Sequence, residues 1–180
     1  ITLFSCVEKD VFHKENIIPS PKEFMLNNDK LHEINDVTIL ETDNHLSYPQ
    51  NKDEYYLKIE NGNVIIEGNE VWARQTLAQI QDKQGRVPDV EVHDWSVYPF
   101  RGFMHDTGRN FQTLEMLKET IDLMSLYKIN YFHWHLTDYH GWRLESKKYP
   151  CLQRSEAFLR QKGKYYTQEQ FKEIVAYAAE

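Results

Sequence analysis

A small α+β domain followed by the start of an α/β barrel is the fold that this 180-residue sequence predicts. Three observations carry the prediction. Two alternating runs flank Asn61-Gly62, a strand–helix–strand order runs from Arg101 to Leu136, and a capping box opens a last helix at Thr167.

The prolines of Ile17-Ile18-Pro19-Ser20-Pro21-Lys22 favour an extended backbone. Val37-Thr38-Ile39-Leu40 is β-branched and reads as a strand. Tyr55, Leu57 and Ile59 alternate with Tyr56, Lys58 and Glu60, and Val64 and Ile66 follow the Asn-Gly. That is the signature of a type I′ hairpin, whose two turn positions both need positive φ. A helix is expected over 69–84. Asn69 can cap it, Ala73, Leu77 and Ile80 share one face, and Gly85 stands where a left-handed stop is common. Strands with one helix across them make an α+β unit that ends near Tyr98.

From Arg101 the pattern changes. Arg101-Gly102-Phe103-Met104-His105 reads as a buried strand, and a helix over 113–127 puts Leu114, Leu117, Ile121 and Met124 inward. A second strand runs from Ile129 to Leu136, and a long loop follows it. Thr167-Gln168-Glu169-Gln170 then opens a helix with Phe171, Ile174 and Val175 inward. This βαβα order belongs to a parallel sheet with helices outside, and two such units are a quarter of the eight that close a barrel.

The net charge of -7, with scattered Lys and Arg, argues against nucleic acid or an anionic membrane as partner. The two cysteines, Cys6 and Cys151, form neither a disulfide framework nor a metal-ligand spacing. The chain starts at Ile1 and stops at Glu180 inside an expected helix, so both ends are expected to be cut. Ile1-Thr2-Leu3-Phe4-Ser5-Cys6 resembles a bacterial lipobox, whose cysteine becomes the lipidated first residue; it reads also as a stray apolar stretch with a free thiol.

The densest polar cluster closes the second parallel strand: His133, Trp134, His135, Leu136, Thr137 and Asp138. His133 and His135 share a face, Trp134 takes the other, and Asp138 lies past the strand's C-terminal end, where parallel α/β folds assemble active sites. The His-x-His pair can bind a divalent metal, belong to a polar layer under a sugar pocket, or be satisfied core histidine. Arg101 opens the first parallel strand; its guanidinium suits vicinal hydroxyls or a carboxylate such as Asp106. Asp106, Arg109 and Asn110 form a second polar group after that strand. Aromatics crowd the stretch from Tyr127 to Trp142, suited to stacking on sugar rings and equally to filling a core.

Two stretches taken together point to a family. One is Tyr98-Pro99-Phe100-Arg101-Gly102-Phe103-Met104-His105-Asp106, continuing Thr107-Gly108-Arg109-Asn110-Phe111. The other is Tyr127-Lys128-Ile129-Asn130, then Phe132-His133-Trp134-His135-Leu136-Thr137-Asp138, Gly141-Trp142-Arg143 and Lys147-Lys148-Tyr149-Pro150. In this order they resemble the family 20 glycoside hydrolases, the β-N-acetylhexosaminidases, over residues 15–180. The resemblance implies the family's small α+β domain at 17–98, after the signal or lipobox remnant and linker that the opening residues suggest at 1–16. Residues 99–180 are then the first two βα units of a truncated (β/α)8 TIM barrel.

It also implies a retaining enzyme that removes terminal β-linked N-acetylglucosamine or N-acetylgalactosamine from a glycan or glycoconjugate. The substrate's own acetamido oxygen is then the nucleophile, an exception to the two-carboxylate scheme. The family's Asp-Glu pair, which orients the acetamido group and protonates the leaving oxygen, is expected beyond Glu180, so the 180 residues alone are expected to be inactive. By the resemblance, Arg101 matches the arginine that holds sugar hydroxyls. Asp138 matches the aspartate that supports the acid through a histidine, and His135 belongs to the pocket wall.

Two positions depart from the family's habit. Asp138-Tyr139-His140 stands where two aspartates and a glutamine are common, and Arg109-Asn110-Phe111 where Arg-His-Phe is common. The leading expectation is therefore a metal-independent, cofactor-free hexosaminidase. It is expected to be exported to a bacterial periplasm or cell surface, touching membrane only through a lipid anchor at Cys6. The alternatives are a metal-dependent barrel hydrolase using His133 and His135, and a catalytically dead glycan-binding member.

Overall fold

The structure, a computed structural model, describes residue 12 and residues 14–41, 44–48 and 51–179. The apolar start and Cys6 lie outside them. The chain divides into two compact units, residues 1–99 and 100–180.

In the first unit, strands β1 (Glu23–His32), β2 (Asp36–Leu40), β3 (Tyr55–Glu60), β4 (Asn63–Gly68) and β5 (Val87–Asp94) form one sheet in the order β1-β5-β3-β4-β2. β2 lies parallel to β4 and the other pairs are antiparallel. Asn61 (φ 49°) and Gly62 (φ 80°) make the turn between β3 and β4 with both positions left-handed, as the Asn-Gly pair requires. The alternation of β3 follows from its pairing. Leu57 stands between Ile66 and Val92, and Ile59 between Val64 and Val90. Helix α1 (Glu70–Ile80) supplies Ala73, Leu77 and Ile80 to the same core. Tyr56, facing the other way, stands between Glu67 and His93. There two buried glutamates fasten the stretch before β3: Glu54 accepts the Ser47 and Tyr48 N–H groups and pairs with His93, and Glu67 pairs with His45.

Gly62 has no room to spare, because a Cβ there would lie 2.0 Å from the Glu33 carbonyl oxygen. Gly62→Ala is expected to destabilise this unit by about 1–3 kcal/mol through backbone strain and the forced shift. Urea denaturation of the chain measures it.

Three local expectations need correction. Helix α1 stops at Ile80, not at 84. The Asp82 carboxylate accepts the Gln84 and Arg86 N–H groups and the Arg86 guanidinium, which folds 82–86 into a turn. Gly85, at φ 81°, serves that turn and not the helix end. Strands β1 and β5 were not anticipated. Pro88 and the acids of β5 mask its Val90/Val92 alternation, and β1 is a polar edge strand whose register shifts twice against β5. Val175, expected inward, is exposed.

In the second unit, β6 (Gly102–Asp106) and β7 (Tyr131–His135) pair in parallel, from Gly102 opposite Tyr131 to Asp106 opposite His135. Helix α2 (Leu114–Leu126) connects them, capped by the Thr113 hydroxyl on the Met116 N–H, and buries Leu117. Helix α3 (Gln168–Tyr177) starts with the full capping box: Gln170 N–H donates to the Thr167 hydroxyl, and Thr167 N–H donates to the Gln170 side chain. Leu117, Tyr166 and Ile174 form the buried centre, with Phe132, Trp134 and Leu136 packed against it. The long loop after β7 carries structure of its own. Strands β8 (Thr137–Asp138) and β9 (Gly141–Trp142) pair, and two short 3-10 turns follow. Among the described residues no helix is long and apolar enough to cross a membrane.

Candidate active site

The parallel register of β6 and β7 sets the site. It brings Asp106 and His135, the last residues of the two strands, side by side. The chain then turns sharply after β6: Thr107 and Gly108 both donate their N–H groups to the His135 carbonyl at 3.0 Å. Gly108 passes so close to β8 that a Cβ would lie 3.0 Å from the Asp138 nitrogen and 3.1 Å from its Cβ. The next residue, Arg109, therefore reaches Asp138 directly. Its Nε lies 3.1 Å from Oδ2 of Asp138 and 3.3 Å from Oδ2 of Asp106. The Asp106 Oδ1 accepts the Arg109 N–H at 3.0 Å. His135 Nε2 completes the group, 3.5 Å from the same Asp138 oxygen.

The Asp138 carboxyl lies below the usual aspartate range. The Tyr139 N–H bound to its Oδ1 is the main cause, and the Arg109 and His135 side chains add to it against the opposing pull of partial burial. The site thus sets the guanidinium of Arg109 between the side chains of Asp106 and Asp138, able to turn its remaining donors toward hydroxyls.

Asp138 and His135 stand together, 3.5 Å apart. Arg101 does not join them. It precedes β6, and its Nε donates to the Lys128 carbonyl at 2.7 Å, at the opening end of the strand pair. Its N–H donates to the Asn130 side chain. At about 3.3 Å per strand residue it lies roughly 16 Å short of Asp106. It ties the starts of the two strands together. The arginine beside Asp138 is Arg109, and the signal was its place after the strand's C-terminal end, where Arg101 stands before the start.

His133 shares a face with His135, their rings 5.9 Å apart. Among the described residues, however, the donors close enough to share a cation are those of Asp106, His135 and Asp138, within 4.8 Å of one another, and His133 is not in that set. Trp134 turns to the other side, its indole N–H on the Thr107 hydroxyl and its ring against Tyr166 and Phe171. Arg143, which carried no assignment in the sequence, is fully buried beneath the site.

The charged cluster lies past the C-terminal ends of two parallel strands, where parallel α/β folds assemble their active sites. The family model "Glycosyl hydrolase family 20, catalytic domain" matches residues 98–180. A beta-hexosaminidase of Porphyromonas gingivalis is 37% identical over 151 residues, which are 73% of this chain and 19% of that protein. A chitooligosaccharidolytic beta-N-acetylglucosaminidase of Bombyx mori is 42% identical over 94 residues, 52% of this chain and 15% of that protein. The crystal structure of a beta-N-acetylhexosaminidase from Bacteroides fragilis superimposes with a TM-score of 0.76 at 28% identity, covering 91% of this chain and 43% of that one. Residues 98–180 belong to glycosyl hydrolase family 20. The chain spans less than a quarter of the length of either curated relative.

Proposed function

We propose that the whole protein hydrolyses terminal non-reducing β-linked N-acetylglucosamine or N-acetylgalactosamine from glycans. In this reading the mechanism is retaining and substrate-assisted, and residues 99–180 form the first two βα units of its barrel. Residues 17–98 form the accompanying α+β domain. The observation that carries the reading is the Arg109–Asp138–His135 cluster at the carboxyl ends of β6 and β7, inside the segment that the family model matches.

In this reading Arg109, not Arg101, holds hydroxyls of the terminal sugar. Asp138 keeps it aligned and, through a histidine elsewhere in the protein, supports the acid that protonates the leaving oxygen. His135 lines the pocket. The 2-acetamido oxygen attacks the anomeric carbon as the glycosidic bond breaks, and water then opens the resulting oxazolinium. Two displacements at one carbon leave the β configuration. The groups that orient the acetamido and donate the proton come from outside these 180 residues, which are inactive alone. Export with a lipid on Cys6 completes the proposal; mass spectrometry of the protein from its native host shows that lipid or an unmodified cysteine.

The anomer formed first tests the mechanism. Proton NMR of a running reaction of the full-length protein is expected to show the β anomer of the free sugar before mutarotation; the α anomer overturns it. The Asp106, His135 and Asp138 donor set favours a second reading, a metal-dependent hydrolase. Stoichiometric metal in the full-length protein, with activity lost to a chelator, selects that reading.

A further inference from the structure

We infer that Arg143 is the positioning residue that holds Arg109 against Asp138; the inference rests on the sugar-holding reading of Arg109. The Arg143 side chain is fully buried, and among the described residues no carboxylate pairs with it. Four main-chain carbonyls accept from it instead. Nε donates to Gly108 at 3.2 Å, Nη1 to Gln161 at 3.2 Å and Lys164 at 2.9 Å, and Nη2 to Arg160 at 3.0 Å. The Phe158 ring covers the guanidinium, 5.0 Å from its carbon. Its own N–H donates to the Leu136 carbonyl, which anchors it to the chain just past β7.

Burying a guanidinium without a counter-ion is costly. A site meant only to be stable would gain by an apolar residue there. What the arginine does that an apolar residue cannot is join two loops. One is the turn after β6, through Gly108. The other is 160–164, which also holds the far side of that turn: the Gln161 side chain accepts from the Phe111 N–H and donates to the Phe111 carbonyl. The Tyr166 hydroxyl holds Gln112 in the same two-sided way. Gly108 and Phe111 are thus fastened to one segment, and between them stand Arg109 and Asn110. The fork that grips Gly108 sets where the Arg109 backbone starts. From that start its Nε meets both carboxylates.

Lysine keeps the charge and stem but has no fork to span these carbonyls. Misplacement of a substrate-holding group by about 1 Å can cost on the order of a hundredfold. In the full-length enzyme, Arg143→Lys is expected to lower kcat/KM for an aryl β-N-acetylglucosaminide by about 10- to 100-fold. In the Arg109→Ala background the same change is expected to cost less than about threefold, because its effect passes through Arg109. Equal losses in both backgrounds overturn the inference, since a purely structural role would act on either enzyme alike. Arg143→Gln, which removes the buried charge, carries the same expectations if the lysine variant does not fold.

A second arm needs no turnover. A crystal structure of the full-length Arg143→Lys variant is expected to show Arg109 withdrawn from Asp138, its Nε no longer within hydrogen-bond distance of Oδ2, with β6 and β7 in place. If the full-length protein cleaves no glycoside, the hexosaminidase reading fails while this arm still decides. An Arg109–Asp138 contact kept at 3.1 Å in the variant overturns the positioning role.

Discussion

Arg109→Ala in the full-length protein is expected to lower kcat/KM on an aryl β-N-acetylglucosaminide by about a hundredfold or more, the usual cost of a transition-state contact. The loss should fall more on kcat than on KM if the hydroxyl contacts tighten as the ring flattens toward the transition state. Two further consequences separate this from a loss of fold. Arg109 is exposed, with its guanidinium at the cluster and not in the core, so its removal should leave the melting temperature nearly unchanged. Arg101→Ala should do the reverse. It takes away the bond to the Lys128 carbonyl at the starts of β6 and β7, and so costs stability with little effect on turnover. Steady-state kinetics and thermal melts on the two variants, side by side, check both statements. A hundredfold loss on Arg101→Ala with Arg109→Ala active would return the sugar-holding role to Arg101.

Leu57→Ala is expected to destabilise the first unit by about 2–5 kcal/mol. Leu57 is fully buried at the middle of β3, between Ile66 on one neighbouring strand and Val92 on the other. Strands flank it on both sides, so little can move in to fill the space. The cost is the lost transfer of the side chain plus most of a cavity. Lys58→Ala, one residue on and on the opposite face, removes only partly exposed ion pairs with Glu60 and Glu91 and should cost about 1 kcal/mol or less. Urea denaturation followed by the fluorescence of Trp72 and Trp95 measures both. Similar small effects at the two positions would mean that β3 does not bury the face containing Leu57.

These two variants mark what the sequence made legible. The β3–β4 hairpin could be read residue by residue, because period-2 burial and a turn requiring two positive φ values leave little freedom. The capping box at Thr167 was as plain, since both of its hydrogen bonds are local. Strand β1 was not legible. An edge strand with one neighbour and two register shifts has no steady buried face to write into its sequence. At the site, Asp138 and His135 could be placed from the strand they end. The sequence also places Arg109 after the first strand and Arg101 before it, but the contact of Arg109 with Asp138 depends on the register of β6 against β7, a non-local fact. Arg143 needed more still. Its partners are backbone carbonyls, which leave no trace in residue identity, and three of the four lie 17 to 21 residues away in the chain.

The most direct test of the central claim gives the full-length protein two substrates that differ at one group, an aryl β-N-acetylglucosaminide and the matching aryl β-glucoside. If the 2-acetamido oxygen is the nucleophile, the first releases its aryl alcohol and the second releases almost none. Equal turnover of both would contradict substrate assistance. No turnover of either, by a protein shown to be folded, would contradict the hexosaminidase assignment itself and leave a protein that binds glycans without cutting them.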